Sequence, residues 1–176
     1  MADMHQTLDR QTPPELFAFP PISVPQPNII TLSNGIEIYW LDLGSQPINR
    51  ITLSFDSGLL ETPVPDALQI AAQLMREGTA SFSGREISER LDYEGAWLKI
   101  DTLSHNSTIN LWGLNKSTLQ LLPLLHEVAA KPMFPEGEFA TIRNKQSAKA
   151  RLSLKRAPYI ASQLDKQLVF GADHPM

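Results

Sequence analysis

Five short stretches with strand character, three before and two after a pair of helical segments, narrow the folds open to this chain more than any other feature of its 176 residues. Residues 29–32 and 36–41 flank Ser33-Asn34-Gly35, a turn signal between β-branched and aromatic runs that predicts an opening hairpin. Ile51, Leu53 and Phe55 alternate with Thr52, Ser54 and Asp56, which predicts a third strand with one buried face before Gly58. Residues 96–102 and 107–114 supply two more. Within the second, Thr108-Ile109-Asn110-Leu111-Trp112 alternates strictly, and the two strands are expected to pair, with Trp97 and Trp112 packing in a core or as a cross-strand pair.

The remaining text is helical. Asp66 is expected to cap a helix over residues 67–76 that stops near Gly78. Ser83-Gly84-Arg85-Glu86 fits a capping box, a hydroxyl followed three residues later by a carboxylate, and Ile87 and Leu91 carry that helix to Gly95. Leu119, Leu121, Leu122, Leu125 and Val128 predict an amphipathic helix in which Pro123 implies a kink or a late start. A long polar helix is predicted over 136–156, interrupted by Ala157-Pro158, and a last one over 160–170. The order β-β-β-α-α-β-β-α-α predicts an α+β fold, a two-layer arrangement in which helices pack on one face of an antiparallel or mixed sheet of five or more strands.

Seven of the fourteen prolines fall between Pro13 and Pro47, where missing N–H donors discourage helix and sheet interior. Residues 1–28 are therefore expected to form a proline-rich extended arm and residues 29–176 the α+β domain. Fifteen Lys and Arg stand against nineteen Asp and Glu, a net charge of -4, so composition does not favour nucleic acid or an anionic membrane as partner. The absence of cysteine removes disulfides, thiolate metal sites and a cysteine nucleophile. No basic start with an apolar run suggests a signal peptide, and no stretch approaches the roughly 20 apolar residues that cross a bilayer, so no membrane insertion and a cytoplasmic location are expected.

Several short words recur in one order: Leu32-Ser33-Asn34-Gly35 in the hairpin, Gly58 after the third strand, Gly78-Thr79 followed by residues 83–89, Gly95, Lys131-Pro132 with Phe134, and His174-Pro175. In this order and spacing the chain, from about Ile30 to Met176, resembles the pitrilysin/insulinase family of zinc metallopeptidases, which includes mitochondrial processing peptidase and core subunits of the respiratory cytochrome complex. The resemblance implies a processing-peptidase type of domain, here truncated, because family domains continue past the His-Pro word.

Active members of that family carry H-x-x-E-H on the helix before Gly-Thr, where two histidines one turn apart bind zinc and the glutamate acts as general base on the metal-bound water. Counted back from Gly78-Thr79, the histidine positions fall on Gln69 and Gln73 and the glutamate position on Ala72. The third ligand, a glutamate from the long later helix, falls at or next to Ala150, and no carboxylate occurs between Glu138 and Asp165. Amide oxygens are poor zinc ligands beside imidazole, and a methyl group cannot accept a proton. The resemblance thus implies no catalytic, metal or cofactor residues in this chain, with the family's zinc lost.

Other candidates are weaker. His105, His126 and His174 are isolated, and His126-Glu127 point to different helix faces. Ser81 and Ser83 lack the Gly-x-Ser-x-Gly context of a serine hydrolase. Lys145, Lys149, Arg151, Lys155 and Arg156 read first as a solvated helix face.

The expected function is that of a non-catalytic peptidase-family domain or subunit that forms part of a substrate chamber or supports a zinc-bearing partner. That partner is a homologous peptidase subunit or a second half of the same chain, with a peptide as substrate. Two rivals are an active zinc metalloendopeptidase with displaced ligands and a purely structural assembly subunit.

Overall fold

The computed structural model describes Pro13, Phe17, Phe19 and residues 21–172. Most of the proline-rich arm and the His174-Pro175 word lie outside the described residues. The chain divides into two compact units, Met1–Leu43 and Gly44–Met176.

In the first unit, β1 (Asn28–Thr31) and β2 (Glu37–Trp40) form the expected antiparallel hairpin, with Thr31 opposite Glu37. The turn differs from the two-residue form that Asn-Gly suggests. A type I′ turn needs positive φ at both central residues, but only Gly35, at φ +86°, has it. Asn34 instead accepts the Ile36 N–H on its own Oδ1 at 3.1 Å, and Gly35 N–H reaches the Leu32 carbonyl at 2.9 Å. The side chain replaces a backbone partner, which lengthens the loop.

In the second unit, β3 (Ile48–Phe55), β4 (Trp97–Thr102) and β5 (Ser107–Leu114) form an antiparallel sheet in the order β3-β5-β4. The α+β class with helices on one face holds, while the five strands divide between two antiparallel sheets rather than joining one. Period two sets the sheet's two faces. Ile51, Leu53, Leu98, Ile100, Ile109 and Leu111 belong to the apolar face, packed with Ile87 and Leu91 of α2 (Gly84–Tyr93) and with Leu121, Leu124, Leu125 and Val128 of α3 (Thr118–Ala130).

Several helix limits depart from expectation for local reasons. The first helix, α1, is Pro65–Leu74, with Val64 at the cap and no side-chain cap. Asp66 is not the cap, because Pro65, whose fixed φ and missing N–H suit the first helical position, starts the helix earlier. Asp66 sits in the first turn, where its charge still complements the helix dipole. The capping box of α2 forms in full: Ser83 N–H donates to Glu86 Oε2 at 2.8 Å, and Glu86 N–H to Ser83 Oγ at 3.3 Å. In α3 the helix starts at Thr118 and carries Pro123 inside it. The long polar helix, α4 (Glu136–Ser153), ends at Ser153, and α5 (Ala157–Phe170) starts at Ala157 with Pro158 within its first turn. Lys155 and Arg156 consequently lie in the connection, not on α4. Among the described residues no helix is long and apolar enough to cross a membrane.

Candidate functional site

The segment leading into α1 is pinned before the helix begins. Gly58 packs so closely on the β4–β5 turn that a Cβ there would meet the Ser104 carbonyl oxygen at 2.3 Å. Leu59 and Leu60 donate their N–H groups to the Leu103 and Ser104 carbonyls at 2.9 Å each. Glu61 accepts the Gly58 N–H on Oε2 at 3.0 Å and meets His105 Nδ1 through Oε1 at 2.8 Å. The hydrogen bond with His105, followed by backbone donors, holds the Glu61 carboxyl below the usual carboxylate range. His105 is thus accounted for by a surface pair.

The far end of α1 is tied just as closely. Thr79 Oγ1 accepts the Phe82 N–H at 3.0 Å, and Gly78 bridges to Ser83 while Thr79 bridges to Pro132. Met133 N–H donates to the Gly78 carbonyl at 2.9 Å and Ala80 N–H to the Lys131 carbonyl at 3.1 Å. The Gly78-Thr79 and Lys131-Pro132 words therefore meet as a short backbone ladder. Their role is to fix the end of α1 against the end of α3.

Between these anchors, α1 buries Ala72, leaves Gln69 half-buried and exposes Gln73. The Gln73 amide donates to the Gln69 backbone carbonyl at 3.2 Å, one turn back on its own helix. The helix packs on α4 (Glu136–Ser153), which carries Ala150 on an exposed position and buries Ile142. A carboxamide occupied by its own backbone, a half-buried carboxamide and two methyl groups do not fit zinc, whose sites are built from imidazole, thiolate and carboxylate. Among the described residues no three His, Cys, Asp or Glu side chains come together as a metal site. His126 is exposed, and its neighbour Glu127 pairs with Lys131 at 2.8 Å rather than joining it. His174 lies outside the described residues.

A groove of about 370 Å³ runs between α2 and α3, with Glu86, Glu89, Arg90 and Tyr93 on one wall and Gln120 on the other. Apart from Glu94, its charges are already engaged. Glu86 closes the capping box, Glu89 pairs with Arg85 at 2.7 Å, and the Arg90 guanidinium lies 4.1 Å over the Phe82 ring.

The polar phase of the second sheet carries a cluster that sequence reasoning missed. Trp97 and Trp112 do pair across strands, stacked at 5.7 Å between centroids and 15° between planes. Next to them Asn110 is only 1% exposed, although its phase on the strand is opposite to the face that packs on α2 and α3. Its Oδ1 accepts from Arg50 Nη2 at 2.7 Å, Arg50 Nε at 3.2 Å and Thr52 Oγ1 at 2.9 Å, and its Nδ2 donates to Thr108 Oγ1 at 3.0 Å. The Arg50 guanidinium stands 5.0 Å over the Trp112 ring. The available signal was Asn110 itself, an amide in phase with Trp112 in the middle of a strand.

No family sequence model matches the chain, and neither does any characterised protein sequence. Solved structures do. One is a peptidase M16 inactive domain from Pseudomonas fluorescens, at 21% identity and a TM-score of 0.76, with 85% of this chain and 37% of that chain covered. A second is a mutant of the ferredoxin protease FusC in complex with Arabidopsis ferredoxin, at 21% identity and a TM-score of 0.67, with 94% of this chain and 20% of that chain covered. A third is the periplasmic protease PqqL from Escherichia coli, at 14% identity and a TM-score of 0.67, with 88% of this chain and 19% of that chain covered. The chain therefore has the fold of M16 peptidase domains and spans little more than a third, or less, of the length of these structures.

Proposed function

We propose that this chain is a catalytically silent M16-type domain that forms part of a peptide chamber or supports a zinc-bearing peptidase partner. The carrying observation is α1. Where the resemblance puts two imidazoles and a carboxylate, the helix presents Gln69, Ala72 and Gln73, and its neighbour α4 presents Ala150. No proton acceptor or strong metal donor stands at these positions, so water activation by the family chemistry has nothing to work with. The scaffold around α1 is meanwhile intact, from the Gly58 clasp to the Gly78-Thr79 ladder. An intact frame around a vacated chemical position fits a domain kept for shape and binding. Likeness to a domain described as inactive supports this reading.

The test is a cleavage assay with a flexible peptide, run on the chain alone, on an H-x-x-E-H-bearing homologue alone and on both, beside a metal analysis after equilibration with zinc. The expected outcome is metal below about a tenth of an equivalent and cleavage raised only in the mixture. One tightly held zinc and chelator-sensitive cleavage by the chain alone would establish displaced ligands instead. A stable complex with no gain in cleavage would favour a purely structural subunit.

A further inference from the structure

Resting on the reading of the chain as a peptide-handling domain, we propose that the face of the β3-β5-β4 sheet turned away from α2 and α3 binds an acidic side chain of an extended polypeptide. Arg50 takes the Glu or Asp carboxylate, and the residue beside it lies on the Trp97–Trp112 stack.

The first support is an unused charge. None of the ion pairs formed among the described residues includes Arg50. The other cation of this face, Lys99, sits opposite Asn110 on β4 and is already paired with Asp101 at 2.7 Å. Arg50 is thus the cation of this face that has no ion-pair partner among the described residues, which leaves its charge available to a ligand.

The second support is orientation. Asn110 Oδ1 receives Nε–H and one donor of Nη2, which consumes the side edge of the guanidinium. The end edge, made by Nη1 and the second Nη2 donor, remains, and its spacing matches the two oxygens of a carboxylate. Contact with the Trp112 ring holds the plane of the guanidinium without using a donor. Asn110 is nearly fully buried to make these bonds, so the fork is set before any ligand arrives.

The third support selects a side chain over a terminal carboxylate or a free phosphate. Those anions are usually gathered by clusters of backbone N–H groups. Strand β5 is paired on both sides, and the outer N–H groups of the edge strands β3 and β4 lie in the plane of the sheet, so no such cluster opens on this face. Beside the cation, Trp97 remains 55% exposed on its stack with Trp112, which suits the apolar neighbour of an acidic residue.

The experiment follows the indole N–H signals of Trp97 and Trp112 by NMR in the isotopically labelled chain. It is titrated with a short Gly/Ser peptide carrying one Glu-Leu pair and with the same peptide carrying Gln-Leu. The Glu peptide is expected to bind about two- to fivefold tighter, the range of an exposed ion pair, with the bidentate geometry favouring the upper end. Added salt should shrink the difference. Arg50→Gln should abolish it and Arg50→Lys should keep only part, because the charge survives and the fork does not. Equal binding of the two peptides, no binding of either, or an undiminished preference in a folded Arg50→Gln chain would overturn the site. The cleavage assay with the homologue is independent: a Glu preference without peptidase support would remove the functional reading and leave the site standing.

Discussion

A methyl group at Gly58 would sit 2.3 Å from the Ser104 carbonyl oxygen, on backbone that is itself bonded to Leu59 and Leu60. Neither side has a flexible end that can yield. Gly58→Ala is therefore expected to lower unfolding free energy by about 1–3 kcal/mol, the usual cost of overpacking, read as a shift of the urea midpoint. An unchanged midpoint would mean that the β4–β5 turn moves freely from its place. The sequence showed a glycine after a strand but not the turn pressed against it, since residue 58 and residue 104 are far apart along the chain. Asn110 teaches the same lesson: alternation told which face it takes, and only the arrival of Arg50 and Thr52 from β3 explains why an amide is buried there.

At the scale of an element, α3 separates pattern from packing. Its apolar residues are too many for one face, and the expected stripe included Leu119 and Leu122 while omitting Leu124. The folded helix buries Leu121, Leu124, Leu125 and Val128, spaced i, i+3, i+4 and i+7, and leaves Leu119 78% exposed. Which stripe wins depends on the angle at which α3 lies on β5, which no property of the helix alone sets. Leu124→Ala is expected to cost about 2–5 kcal/mol, and Leu119→Ala to stay within about 0.5 kcal/mol, both by denaturant unfolding. Equal losses in the two variants would show that the assignment of faces is wrong. By contrast the capping box of α2 was fully legible, because both of its hydrogen bonds close within four residues.

For the whole molecule, three carboxylates, two of them exposed and Glu127 largely covered, make stability depend on pH in one direction. Glu61, Glu86 and Glu127 are each held below the ordinary value of 4.5, chiefly by His105, the Ser83 backbone N–H and Lys131 respectively. A carboxyl whose folded pKa is depressed stabilises the fold above its unfolded value, and that stability is lost as pH falls through the folded value. The melting temperature should therefore hold steady above pH 4.5 and decline below it, shallowly for Glu61 and Glu86 because both are solvated. Replacing Glu61 and Glu86 by Gln should flatten the acid limb; a limb as steep as before would place the titrating groups elsewhere.

What the sequence by itself determined is what short-range chemistry enforces. The alternation of residues 107–114, the capping box at Ser83 and the class of the fold can be read from neighbours along the chain, whereas Gln69, Ala72, Gln73 and Ala150 gain their meaning only from the family resemblance. The tertiary structure alone decided the division of the strands into two sheets, the stripe of α3 that is buried, the clasp of Gly58 on Ser104 and the placing of Arg50 on Asn110 and Trp112. Each of these joins residues tens of positions apart. Local propensity carries no information about such meetings, because their energy arises only when separate elements have docked and excluded water between them.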